Sequence, residues 1–92
     1  MMSLVDELKQ KQPLKFQIED VNKDFQITFS SMEKTLSKNN EGIFNLNSKI
    51  NMHSAEALTD YLKRNNQDYN FELNYNVTNY EIMFKKKEGV KN

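Results

Sequence analysis

The sequence predicts an α+β fold, with one mostly antiparallel sheet of about five strands and two helices packed on one of its faces. Three observations carry that expectation. Two stretches space their apolar residues at helical period, several others alternate apolar with polar residues at period two, and polar or proline-containing segments separate them. The elements read in the order α-β-β-β-α-β-β, and residues 1–92 are expected to form a single α+β domain with residues 86–92 as a flexible tail.

The first helix is predicted over residues 3–12. Ser3 can cap it, Asp6 and Glu7 fall in the first turn where the helix dipole favours negative charge, and Leu4, Val5 and Leu8 form an apolar stripe. Pro13 ends it, because the residue before a proline is pushed out of helical geometry. Leu14, Phe16 and Ile18 then alternate with Lys15, Gln17 and Glu19, the pattern of a half-buried strand. A turn is read at Asp20-Val21-Asn22-Lys23, and a returning strand where Phe25, Ile27 and Phe29 alternate with Gln26, Thr28 and Ser30.

Residues 31–42 are the least legible stretch. Met32 and Leu36 are their only large apolar residues, and Lys38-Asn39-Asn40-Glu41-Gly42 reads as a turn signal. A third strand is expected over residues 43–50, with Phe44, Leu46 and Ile50 facing one way and Asn45, Asn47 and Lys49 the other. A second helix, capped by Ser54, buries Ala55, Leu58 and Leu62 and stops at Asn65-Asn66-Gln67-Asp68. The clearest strand signal follows: Tyr69, Phe71, Leu73, Tyr75 and Val77 alternate with Asn70, Glu72, Asn74 and Asn76. After a turn at Thr78-Asn79, Tyr80, Ile82 and Phe84 alternate with Glu81, Met83 and Lys85. The two hairpins so drawn superpose without a gap, Leu14 on Tyr69 and Phe29 on Phe84, which suggests a duplicated α-β-β unit.

Composition narrows the classes of activity. There are no cysteines and one histidine, so disulfide chemistry is absent and a zinc site of nitrogen and sulfur ligands lacks its donors. Two glycines, Gly42 and Gly89, cannot build a glycine-rich phosphate loop. His53 reads as an ordinary residue before a helix cap. Asp20 with Asp24, and Glu56 with Asp60, match no calcium loop and read as solvated charges. The chain is therefore expected to be neither an enzyme nor a cofactor or metal carrier. No secretory leader or membrane-spanning run is read, and a cytoplasmic location is expected.

What is left is a surface. Gln17, Gln26, Thr28, Asn45, Asn47, Asn70, Glu72 and Asn74 would project from one sheet face, together with Lys15 and Met83. Asn is disfavoured in strands, so its repetition there invites a functional reading. Lys85, Lys86 and Lys87, with Lys91 beyond, concentrate positive charge near the C-terminal end. The expected partner is a protein, bound by an interaction protein of the kind that phages and mobile elements use to inhibit or modulate a host process. The alternative is a nucleic-acid-binding module using the lysines and the polar face, though thirteen basic and thirteen acidic residues leave no basic excess. A homodimer through an edge strand, read as the last strand, is a further expectation.

Overall fold

The computed structural model describes residues 3–19, 25–46 and 50–89. Ser3 accepts a hydrogen bond from the Asp6 amide and opens α1 (Leu4–Lys11). Gln12 ends the helix in the left-handed region at φ 49°, and Pro13 turns the chain into β1 (Lys15–Ile18). The remaining elements are α2 (Phe25–Lys38), β2 (Glu41–Leu46), α3 (Met52–Asn65), β3 (Tyr69–Asn76) and β4 (Asn79–Lys86). The strands among the described residues form one mixed sheet in the order β1-β2-β4-β3. β1 runs parallel to β2, while β2 with β4 and β4 with β3 are antiparallel.

The α+β class holds, but its details differ from the sequence reading: four strands rather than about five, three helices rather than two, and a mixed sheet. The returning strand read from Phe25 to Ser30 is the start of α2. Phe25, Ile27 and Phe29 do alternate, yet Ile27 is 69% exposed while Phe29 is buried, so the alternation does not follow burial. Phe25, Phe29, Met32 and Leu36 lie four, three and four residues apart, which is a helical stripe, and the last three are buried. A six-residue window sees the alternation and a twelve-residue window sees the helix. The chain from β1 through α2 to β2 is thus a parallel crossover, which requires a long connection, and not a hairpin. The suggested duplication falls with it, because it superposes a helix on a strand. The turn at residues 20–23 lies outside the described residues.

Two smaller corrections concern the cap of α3 and Gly42. Asn51, not Ser54, caps α3: its side-chain oxygen accepts the Ser54 amide at 2.8 Å, placing Ser54 in the first turn and His53, exposed, beside it. Gly42 is not a turn residue but a buried position inside β2. A Cβ there would lie 2.8 Å from both Phe16 and Phe84, whose rings occupy the space over the missing side chain. Gly42, a residue type with a strong local turn preference, is used there for a tertiary reason.

The two faces of the sheet are covered differently. α2 and α3 enclose the main core, which includes Phe29, Met32, Leu36, Phe44, Leu46, Ile50, Leu58, Leu62, Phe71, Ile82 and Phe84. Phe44 stacks on Phe84 with ring centres 4.7 Å apart, and Phe16 lies 6.0 Å from the first and 6.1 Å from the second. Tyr69 donates its hydroxyl to the Leu36 carbonyl at 2.7 Å, tying β3 to the end of α2. α1 lies on the opposite face, where Leu8 packs with Ile43 and Met83, and Leu4 and Val5 flank them. The helices therefore do not share one face as the sequence reading had it. β2 and β4, buried on both sides, carry the uninterrupted apolar runs Ile43-Phe44 and Ile82-Met83-Phe84 that such strands need.

Candidate interaction surface

Strand register arranges the α1 face in three cross-sheet rows. The first is Gln17, Asn45, Glu81 and Asn74; the second is Lys15, Ile43, Met83 and Glu72; the third is Glu41, Lys85 and Asn70. α1 closes the second and third. Leu8 seals Ile43 and Met83, the Glu7 carboxylate accepts from Lys85 at 2.9 Å, and Lys11 sits 3.9 Å from Glu41. At that distance Lys11 gives Glu41 a charge partner and no hydrogen bond, and Glu41 Oε2 has none among the described residues. Lys85, hydrogen-bonded to Glu7, is held above its ordinary pKa, and the nearby carboxylate charges act in the same direction against partial desolvation.

The first row is where α1 stops. An open groove of about 520 Å³ lies there, bounded by Lys9, Gln12 and Pro13 on one side and Asn74, Tyr75 and Val77 on the other, over Ile43 and Met83. Glu81 belongs to its lining and is only 4% exposed. Its one ion pair among the described residues is with Lys15 at 3.5 Å, and that side chain is half-exposed. A buried carboxylate with a single half-exposed cation as its ion-pair partner is expensive to keep for stability alone, since desolvation of the charge is only partly offset. Beside it runs a chain of amides. Asn79 donates to the Asn45 side chain and to the Leu46 carbonyl at 3.1 Å, and Asn45 donates to Gln17 at 3.1 Å.

The turn between β3 and β4 borders this groove. Val77 is 84% exposed and adopts φ 27°. A β-branched residue at positive φ is a steric outlier, and glycine or asparagine would relieve it. Leu14, beside Pro13, and Tyr75 are also exposed.

The structure brings some of the expected site residues together and separates others. Gln17, Asn45, Asn70, Glu72 and Asn74 do share one face of the sheet. Gln26 and Thr28 do not: both lie on α2, Gln26 exposed and Thr28 buried. Met83 is buried under α1, and Asn47 lies outside the described residues. The three lysines border one shallow depression together with Leu4, Glu7, Asn70 and Glu88, but they are not equivalent. Lys85 is engaged by Glu7, Lys86 faces the other way as the last residue of β4, and Lys87 lies beyond the strand. The last strand is not an edge either, because β4 sits between β2 and β3. Sequence reasoning missed Glu81, Asn79 and Val77. Met83 was the available signal: an apolar residue in an otherwise polar set marks that set as partly covered, and Glu81 is two residues away on the same face.

Among the described residues no helix is long and apolar enough to cross a membrane. Comparison with known protein families, with curated proteins and with solved structures finds no match to this chain.

Proposed function

We propose that this chain is a non-enzymatic, cytoplasmic interaction protein that binds a protein partner at the groove beside α1. The reading extends to a phage or mobile-element modulator of a host process. Val77 carries it. One residue combines backbone strain with nearly complete exposure of an apolar side chain, at the border of a groove that holds a buried carboxylate. Neither property serves folding, and strain retained at an exposed position is a mark of a functional site. Ile43 and Met83 form an apolar floor beneath a rim that includes Lys9, Gln12 and Asn74, and apolar clusters rimmed by polar groups suit protein recognition. Lys9, Lys15 and Glu81 add charges of both signs, which favour a partner of defined charge pattern over a uniform polyanion.

The test uses the Val77→Asn variant. Relief of the strained turn is expected to stabilise the protein by up to about 1 kcal/mol. Affinity capture from the native host should recover a stoichiometric protein with the wild type and lose it with the more stable variant. Recovery of the same protein by both would remove Val77 from the interface. A nuclease-sensitive complex that dissolves with salt would favour the nucleic-acid reading instead.

A further inference from the structure

The two edges of the sheet are built in opposite ways. β1 is four residues long, is entered from Pro13 and carries an exposed Lys15. Short length, proline and lysine are the devices that keep an edge from recruiting another strand. β3 is eight residues long and contains neither lysine, proline nor glycine. Its backbone is also presented outward. The Lys87 amide donates to the Asp68 carbonyl at 2.8 Å, and the β3–β4 register continues from Tyr69 opposite Lys86. Doubly bonded pairs recur at every second residue of an antiparallel ladder, so Asn70, Glu72 and Asn74 face β4. The amides and carbonyls of Phe71, Leu73 and Tyr75 point away from it and have no backbone partner among the described residues.

We infer that β3 is a homodimer interface, pairing antiparallel with β3 of a second copy about a two-fold axis through Leu73. This goes beyond the groove reading and does not depend on it. The occupant follows from the side chains. An isologous contact sets each residue opposite its mirror position. With the axis at Leu73, Leu73 meets Leu73 of the second copy, Phe71 meets Tyr75, and Glu72 meets Asn74. Apolar residues thus face apolar residues over the helix side. On the other side each carboxylate faces an amide that can donate to it, twice by symmetry. Shifting the axis to Glu72 would instead oppose two carboxylates, which is unfavourable for directly opposed strand residues. Zero formal net charge adds no long-range repulsion between copies. The product is one continuous sheet of two copies in which the long edges have disappeared and only the blunted β1 edges remain.

The test is sedimentation equilibrium of the full chain over a concentration series. The wild type is expected to move from monomer to dimer. Leu73→Pro deletes an amide that faces the edge and not β4, so the variant should stay folded by circular dichroism and remain monomeric. Asn74→Lys sets a cation opposite Glu72 of the second copy, and two such pairs should tighten the dimer by a factor of about 2 to 20. A wild type that stays monomeric throughout would overturn the inference and leave the edge to an extended segment of another protein. So would a dimer undiminished in folded Leu73→Pro. Tightening by Glu72→Gln with none by Asn74→Lys would overturn the register, because it places the axis on Glu72.

Discussion

The two faces of this sheet solve the same packing problem with different materials. On the α2–α3 side, two helices of fourteen residues meet an aromatic layer, and Phe44 and Phe84 are fully buried. On the α1 side, one helix of eight residues covers Ile43 and Met83 with Leu8, and ion pairs to Glu7 and Lys11 do the rest. Polar groups on the first face, such as the Tyr69 and Thr59 hydroxyls, donate to helix carbonyls within it, so it can be sealed. The second must accommodate Glu81, Asn45, Asn74 and their neighbours, so its cover is partial and a groove remains. Stability is concentrated on one side of the sheet, and the other side keeps an open groove.

Substitutions can break or sharpen that contrast. The largest effect is expected from Phe44→Ala, which empties the centre of the aromatic layer and should cost about 3–5 kcal/mol in chemical denaturation. That is a large share of the total stability of a domain this small. Leu8→Ala removes the one fully buried side chain of α1 and should cost about 2–3 kcal/mol. Amide exchange should then rise most steeply within α1. If α1 amides stayed as protected as those of α3, the two faces would be one cooperative unit and the contrast would fail. Lys15→Met leaves Glu81 buried beside the groove without its cation, for an expected loss of about 1–3 kcal/mol. Adding Glu81→Gln should recover most of it, and a double-mutant cycle measures the coupling.

The smallest effect is expected from alkaline titration. Burial, and secondarily the Asp68 charge, raise the Tyr69 hydroxyl above its ordinary 10.0, and the Glu7 hydrogen bond raises the Lys85 ammonium above 10.5. Both groups bind their protons more tightly in the folded state. Their contributions are therefore complete below those ordinary values and are lost as the pH climbs through the raised ones. Denaturation midpoints should fall from about pH 10 upward, and Tyr69→Phe should flatten the first part of the decline.

How much of this was legible in the sequence depended on the range over which each signal acts. α1, α3 and the β3–β4 hairpin are local patterns of eight or more residues, and their periodicity named them. The Phe25–Lys38 helix was misread because its first six residues satisfy two periods at once, and only burial of Phe29, Met32 and Leu36 against another element chooses between them. The face opposite the aromatics was visible as a row of amides. Its division into a covered part and an open part was not, because that depends on where an eight-residue helix lies across strands drawn from three distant segments. Val77 looked like the last apolar residue of a strand; its strain exists only in the folded turn.

The position of β4 has a consequence for how the protein is made. It is the last of the described strands to be synthesised, yet it lies between β2 and β3 and supplies Ile82, Met83 and Phe84 to the cores on both sides. A nascent chain that has released α1, β1, α2, β2 and α3 holds a two-stranded parallel pair whose apolar inner edge is open, and parallel pairs are weak without further strands. Such a chain has nothing on which to close either core. Folding must then wait for the ribosome to deliver residues 79–86, and a message truncated before them would yield an exposed, aggregation-prone fragment with no smaller native state to fall back on.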